Sequence, residues 1–276
     1  MRRVVAVVAV LLVLGGVGAA FAVRSSSNAA PPPTTTIRQL RQFRIVFPEG
    51  FTRAKMAERV GVVAKIAKRE GRRKVQLSEE AYLAATKSRV LKGFGAKKLP
   101  LEGFLFPDTY DFDRKTTSAD LVSNQLQEFE SKWRTVDLSY ARSKNLTPYD
   151  VLTIASMIEG EAQVPKERPL VAAVIYNRLQ AHMPLGIDAT LRYGLHVLPT
   201  QSLTQSELAN PTPYNTRLHT GLPPTPINNP GLASIAAAAH PAKVDYLYFV
   251  RKPDHRHHYF TSNYQDFLQH EAQYGY

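Results

Sequence analysis

The sequence predicts an α+β protein with an N-terminal transmembrane helix, a small α/β module and a larger domain of mixed helices and strands. Three observations predict this organisation. An uncharged apolar run opens the chain, a Pro-rich polar segment follows it, and the remaining sequence alternates between helical and strand-like spacing of apolar residues. With 276 residues, 44% of them hydrophobic, the chain is long enough to bury a substantial core.

The N-terminus has the pattern of a membrane anchor. Arg2 and Arg3 precede an uncharged apolar run over residues 4–23. A run of this length can cross a hydrocarbon core about 30 Å thick, and basic flanks tend to stay cytoplasmic. We therefore expect residues 1–24 to be a single-pass anchor in the cell membrane, with the rest of the chain extracytoplasmic. A cleaved signal peptide is the alternative, because the Ala-Phe-Ala at residues 20–22 resembles a cleavage site.

Composition excludes several classes of function. Lys and Arg outnumber Asp and Glu by 35 to 23, for a formal charge of +12, which favours polyanionic partners. The basic residues are scattered apart from a short run at 68–74, so we do not expect nucleic-acid binding. The absence of cysteine from the sequence excludes disulfides, thiolate metal sites and a lipid-modified cysteine.

A linker and a small module follow the apolar run. Residues 25–42 are predicted to be a flexible linker, since they begin with SSSNAAPPPTTT. In the next segment, residues 43–47 (FRIVF) alternate as in a strand, and a turn at 48–50 leads to a helix capped by Thr52 and running to about Ala67. A second helix is predicted over 79–92, starting near Ser78. Together these elements predict a small binding module over residues 43–98.

The remaining residues, 99–276, are predicted to form the larger domain. Helices are expected over 117–133, from Thr147-Pro148 onward and from Pro169 onward. Residues 187–235 are rich in Pro, Asn, Thr and Gly, which predicts loops. Residues 246–250 and 258–262 are expected to pair as strands. Three histidines fall in or beside their connection, and we expect a solvated loop there and not a metal site: His255, His257 and His258.

Two glutamates near the end of the Thr147 helix are candidates for chemistry. Glu159 and Glu161 are two residues apart, which is about 200° around a helix axis, so the two carboxylates cannot share one face. A carboxyl that points into a cleft at the end of a buried helix has a raised pKa, as a general acid working near neutrality requires. The alternative is that both are solvated acids of the last turn.

Six stretches, in this order, carry a resemblance to a known family: LEGFLFPDTYDF, IASMIEGEA, ERPLVAAVIYNRL, IDATLRYGL, NPTPYNTRLHTGLPPTPINNPG and AAAAHPAKVDYLYFV. Across roughly residues 43–276 the chain resembles the MltG-type endolytic murein transglycosylases of the YceG-like family. The resemblance implies that residues 99–276 are the transglycosylase catalytic domain and that residues 43–98 are a partial LysM-like module. Family members typically carry a proline where Ala189 stands in this chain.

The resemblance also implies roles for individual residues. Glu161 aligns with the catalytic glutamate, which protonates the glycosidic oxygen so that the muramic acid 6-hydroxyl closes on C1 and leaves a 1,6-anhydro end. Asp188 is either a second acid or a polar brace of its loop, and both interpretations remain open. The residues expected to bind substrate are Glu159, Asp188, Tyr214, Asn215 and Thr216.

Partners and competing functions follow from the same resemblance. The implied activity cleaves the MurNAc-GlcNAc bond of peptidoglycan glycan strands without water, limits the length of nascent strands and needs no cofactor or metal. The implied partners are glycan strands, the membrane and proteins of wall synthesis. A pyridoxal-phosphate lyase is disfavoured, because the sequence has no glycine-rich phosphate loop. The remaining alternative is a non-catalytic, membrane-anchored peptidoglycan-binding protein.

Overall fold

The structure is a computed structural model that describes residues 43–71, 74–198 and 200–275. The predicted anchor (1–24) and linker (25–42) lie outside the described residues. Within the described ranges, no helix combines the length and apolar character that crossing a bilayer requires. The mixture of helices and short antiparallel strands confirms the α+β class.

The elements are introduced here in chain order. The helices are α1 (Arg53–Gly71), α2 (Glu79–Ala85), α3 (Ser118–Trp133), α4 (Ser139–Ser143), α5 (Pro148–Glu161), α6 (Arg168–Gln180), α7 (Asp188–Leu195), α8 (Gln205–Leu208), α9 (Leu232–Ala239) and α10 (Tyr264–Tyr274), with a 3-10 turn at Pro165–Glu167 before α6. The strands are β1 (Phe43–Val46), β2 (Arg89–Val90), β3 (Lys98–Leu99), β4 (Thr109–Phe112), β5 (Tyr248–Arg251) and β6 (His258–Thr261). The strands form three antiparallel pairs: β1 with β4, β2 with β3, and β5 with β6.

The first elements pack into a core of their own. Strand β1 lies antiparallel to β4, with Ile45 opposite Tyr110. The buried side chains of Ile45, Met56 and Tyr82 join β1, α1 and α2 to residues of β4 and α3. Because β4 follows residue 98, this packing crosses the expected division between residues 43–98 and residues 99–276. The domain boundary itself stays a prediction.

The two helices predicted in the first module are present with different ends. Helix α1 begins after Thr52, whose hydroxyl accepts the N–H of Lys55 at 3.2 Å, and it continues four residues beyond the predicted end to Gly71. Helix α2 begins beside Ser78 as predicted, and the Ser78 hydroxyl caps it by accepting the N–H of Ala81. It ends at Ala85, so the prediction that it runs to residue 92 is wrong. The residues after it form β2 and pair with β3, where β-branched Val90 suits a strand better than a helix.

Helix α5 forms the centre of the larger core. It begins with the predicted cap: the hydroxyl of Thr147 accepts the N–H of Asp150, and the Asp150 carboxylate accepts the N–H of Thr147. Every residue from 151 to 158 is buried, because α5 is packed between α6, α7 and α9. A helix that is apolar on all sides can be stable only in such surroundings. The two glutamates therefore emerge where the buried helix ends.

Residues 187–235 were predicted to be loops, but they contain α7, α8 and the first turn of α9. The loop prediction is therefore wrong for residues 188–195, 205–208 and 232–235. Helix α7 buries Thr190 and Leu191, and it is too short for a clear helical period in the sequence. Helix α8 begins with a capping box of Thr204 and Glu207, a signal that the Pro- and Asn-rich composition obscured.

The predicted strand pair is confirmed as the β5–β6 hairpin. Helix α6 holds the approach to this hairpin through two side chains at its C-terminal end. The amide of Asn177 donates to the carbonyls of Val244 and Tyr246, and Arg178 donates to the carbonyl of Leu247. These contacts fix the position of β5 relative to the helical core.

Candidate active site

Glu161 is the last residue of α5, and its side chain is only 12% exposed. The next residue, Ala162, takes an extended conformation that turns the chain away from the helix axis. One carboxylate oxygen of Glu161 lies 3.7 Å from Nη2 of Arg251, the last residue of β5. The buried helix end therefore presents a carboxyl group to a cation from the hairpin.

The electrostatic environment of Glu161 favours its protonated form. Burial is the largest influence and raises the pKa of the carboxyl above its usual range. Arg251 opposes this rise, the nearby charge of Asp188 adds to it, and the backbone N–H of Ala189 and the charge of Arg192 lower the pKa. A carboxyl group with a raised pKa can hold a proton at higher pH than a solvated glutamate, as a general acid must.

Asp188 is the first residue of α7. Its Oδ1 is 2.7 Å from Nη2 and 2.8 Å from Nε of Arg217, and both side chains are about half exposed. The ion pair joins the start of α7 to the loop after Tyr214. This geometry matches the brace interpretation of Asp188, and its role as a second acid stays a prediction.

Tyr214 packs against α7 beside the site. Its ring meets that of Tyr193 edge to face, with 5.2 Å between centroids, and its hydroxyl lies 2.8 Å from that of Thr225. A Cβ atom at Gly194 would lie 2.6 Å from the Cβ of Tyr214, so the glycine is what lets the tyrosine approach the helix. Tyr214 is partly exposed and is held by its neighbours in one orientation.

Asn215 and Thr216 are buried beneath the surface loop. The Asn215 amide donates to the carbonyls of Leu208 and Asn210, while the Thr216 hydroxyl accepts the N–H of Ile187 at 3.0 Å. Both side chains thus bond within the protein and shape the loop at the start of α7. Their assignment to substrate binding stays a prediction, and in this geometry it would act through the position of that loop.

Glu159 points away from Glu161, as the 200° separation predicts. Its Oε2 accepts the N–H of Gly231 at 3.1 Å, and its Oε1 lies 3.7 Å from Arg168. The carboxylate of Glu49 faces the same place, and burial together with the Glu159 charge raises the pKa of Glu49. The side chain of Glu159 therefore joins α5 to the start of α6 and to the residue before α9.

Comparison with known proteins identifies the family. The sequence profile of the YceG-like family matches residues 26–273. The chain belongs to the YceG-like family. A solved structure of a yceG-like protein from Listeria monocytogenes superposes with a TM-score of 0.65 at 29% identity, over 82% of this chain and 75% of that one.

Two curated relatives of this YceG-like chain are named endolytic murein transglycosylase. The protein from Bacillus subtilis (strain 168) is 41% identical over 158 residues, which are 56% of this chain and 43% of the relative. The protein from Streptococcus pneumoniae (strain ATCC BAA-255 / R6) is 31% identical over 244 residues, which are 80% of this chain and 43% of the relative. The chain thus spans less than half the length of the curated relatives that it matches.

Sequence reasoning missed Arg251 and Glu167 near the site of this YceG-like chain, and it placed His258 wrongly. The expectation of a solvated histidine loop holds for His255 and His257, which are exposed, but it is wrong for His258. That ring is buried in β6, with Nδ1 2.8 Å from Oε2 of Glu167. The strand predicted to start at residue 258 was the available signal, because side chains of a strand alternate between its two faces and a face that packs on the core buries them.

Glu102 is a second buried carboxyl of the YceG-like fold that the sequence did not single out. It is 4% exposed and lies in the LEGF stretch between β3 and β4. Burial raises its pKa to about 7, although hydrogen bonds from the Arg53 N–H, the Tyr193 hydroxyl and the Asn229 amide lower it. Glu102 contacts α7 through its hydrogen bond with the hydroxyl of Tyr193.

Proposed function

We propose that this chain is an endolytic peptidoglycan lytic transglycosylase that uses Glu161 as its acid. Its substrate is the glycan strand of peptidoglycan, cut at the MurNAc-GlcNAc bond without water to leave 1,6-anhydro-MurNAc ends. The observation that supports it best is the placement of Glu161 at the end of a buried helix, where burial raises its pKa. Membership of the YceG-like family and relatives named endolytic murein transglycosylase agree with this activity.

The reaction needs one carboxyl that first gives and then takes a proton. Protonated Glu161 donates to the glycosidic oxygen as the bond from C1 to that oxygen breaks. The resulting carboxylate removes the proton of the muramic acid 6-hydroxyl as O6 bonds to C1, which restores protonated Glu161. Arg251, 3.7 Å away, stabilises the carboxylate between the two steps. Glycosidases that use water normally need a second carboxylate at a set separation, which this route does not require.

We also propose how the enzyme is placed in the cell. Residues 1–24 anchor it in the cell membrane, and the catalytic domain lies outside the cytoplasm, where it limits the length of nascent strands. The apolar run and the two preceding arginines support this orientation. A reporter fused after Tyr276 is expected to be active only in an exported compartment. Cytoplasmic reporter activity would refute the orientation, and a mature N-terminus at Val23 would show a cleaved signal peptide.

Digestion of purified sacculi tests the activity. The full chain and its Glu161→Gln variant are incubated with sacculi, and the released muropeptides are identified by mass. Glutamine keeps the shape of the side chain but has no transferable proton, so we expect at least a roughly 100-fold loss of anhydro-muropeptides. Glu159→Gln should lose less, and Glu130→Gln, an exposed glutamate of α3, should match the unmodified chain.

Product chemistry and binding separate this proposal from its competitors. Reducing ends as the main product would show hydrolysis by water instead of intramolecular attack. Binding of the full chain to sacculi without release of any muropeptide would favour the non-catalytic wall-binding protein. Full activity of Glu161→Gln would remove Glu161 from the acid role.

A further inference from the structure

The inward face of the β5–β6 hairpin carries two polar residues next to the candidate site. Arg251 and His258 are directly opposite each other in the antiparallel register, so their side chains leave the sheet on the same face. Phe249 and Phe260, the next opposite pair on that face, pack against the helical core. The guanidinium and the imidazole therefore both point toward the helices that hold Glu161.

Glu167 makes two hydrogen bonds with His258. Its Oε1 accepts the backbone N–H of His258 at 3.1 Å, and its Oε2 lies 2.8 Å from Nδ1 of the ring. A carboxylate beside Nδ1 keeps the ring proton on that nitrogen and leaves a lone pair on Nε2. The ring is 1% exposed; burial lowers the pKa of His258, Glu167 and Asp254 raise it, and Arg251 lowers it.

The Nε2 atom of His258 is buried and has no hydrogen-bond partner among the described residues. Opposite it stands Arg251, whose guanidinium has five N–H donors. The separation of 3.7 Å between Arg251 and Glu161 is longer than a hydrogen bond. The unpartnered Nε2 of His258 thus lies beside Arg251, whose guanidinium is too far from the Glu161 carboxylate for a hydrogen bond.

We propose that the Glu167–His258 pair positions Arg251: the unpartnered Nε2 lone pair of His258 offers the guanidinium an acceptor that competes with Glu161, and it thereby limits how closely Arg251 binds the Glu161 carboxylate. The proposal rests on the proposed function. Glu161 must carry a proton for the first step, which a directly bonded arginine would oppose. It must also be stabilised as a carboxylate before the second step, which a nearby arginine supports. Glu167 and His258 are positioning residues that act through Arg251.

The first test follows the ionisation of Glu161 when the acceptor is removed. His258→Phe keeps a ring but has no lone pair, so Arg251 should close on Glu161. The basic limb of the pH–rate profile should then move to lower pH by about one unit. Glu167→Gln should give the same direction of shift, because its amide donates to Nδ1, moves the ring proton to Nε2 and abolishes the acceptor. The other charges near Glu161, those of Asp188 and Arg192, are unchanged in both variants.

Matched variants test whether the shift of the pH–rate profile depends on Arg251. Arg251→Met should move the basic limb to higher pH, and the Arg251→Met/His258→Phe double variant should behave as Arg251→Met alone. His257→Phe changes the exposed neighbouring histidine and should leave the profile unmoved. A His258→Phe variant that loses activity with no change in the pH profile would overturn the proposal, since it would show a purely structural role.

A spectroscopic readout keeps this proposal separate from the proposed function. In the full chain labelled with ¹⁵N-histidine, the nitrogen shifts of His258 should report a neutral ring protonated at Nδ1, and Glu167→Gln should move the proton to Nε2. A ¹³C titration of the Glu161 carboxyl should show its pKa fall in His258→Phe, whether or not the protein cleaves glycan. A ring protonated at Nε2 in the unmodified chain, or an unmoved Glu161 titration, would overturn the positioning role.

Discussion

The hydroxyl of Tyr193 donates a hydrogen bond to the buried carboxyl of Glu102, with 3.1 Å between the two oxygens. The other carboxyl oxygen accepts the backbone N–H of Arg53 at 2.8 Å and the side-chain amide of Asn229 at 2.9 Å. Glu102 thereby joins the start of α1, the loop before α9 and the helix that carries Asp188. Since its pKa is raised to about 7, this junction depends on pH.

The stability of the protein should fall as the pH rises through the titration of Glu102. Its pKa is about 7 in the folded chain against an ordinary value of 4.5, so the folded state holds the proton more tightly. The contribution to the free energy of unfolding is complete below pH 4.5 and is lost as the pH rises to about 7. Glu102→Gln keeps an oxygen that accepts from Arg53 and Asn229, its amide can donate to the Tyr193 oxygen, and it does not ionise, so its unfolding should depend less on pH over this range. Urea unfolding at several pH values measures this, and equal slopes in the two proteins would contradict it.

The N–H of Ala189 should tune the acidity of Glu161. This N–H lowers the pKa of Glu161, and a proline has no such donor. Ala189→Pro should therefore raise the pKa and move the basic limb of the pH–rate profile to higher pH. Ala189→Gly keeps the donor and serves as the control. A profile that shifts equally in both variants would assign the effect to the loop conformation instead.

Asp188 and Tyr214 should affect the rate through geometry. Asp188 holds Arg217 and Tyr214 is fixed against Tyr193, so we expect both to act by positioning neighbouring groups. Their alanine variants should lose activity on the order of 10 to 100-fold in sacculus digestion. Tyr214→Phe keeps the ring and should lose less than Tyr214→Ala. Unmodified rates in both alanine variants would remove these residues from the site.

Truncation of the Asn229 side chain should strongly lower the free energy of unfolding. Its fully buried side chain accepts the N–H groups of Gly103 and Leu105 and donates to the Phe51 carbonyl and to Glu102. Asn229→Ala leaves these buried groups without partners, so we expect a loss of about 3 to 5 kcal/mol in the free energy of unfolding. As the control, Asn263→Ala removes only the cap of α10 and should cost about 1 kcal/mol. Equal losses from the two variants, measured by urea unfolding, would refute this role for Asn229.

Local chemistry was sufficient to predict many of the elements. The helices capped by Thr52 and Thr147 and the helix that starts near Ser78 all begin where the sequence placed them, because a cap is a bond between residues three apart in the chain. The ends of α1 and α2 were predicted less well. An end depends on what the next residues pair with, as at β2, and such a partner is remote in sequence.

The sequence by itself determined the class of fold, the buried helix that ends in two glutamates and the opposite directions of those glutamates, because each follows from composition or from helical spacing. Only the tertiary structure decided what each glutamate meets: Arg168 and Gly231 at Glu159, and Arg251 and Ala189 at Glu161. It also buried His258, which local composition had placed in a solvated loop. Burial and the charges around a carboxyl are set by elements far apart in the chain, and they decide which carboxyl keeps its proton.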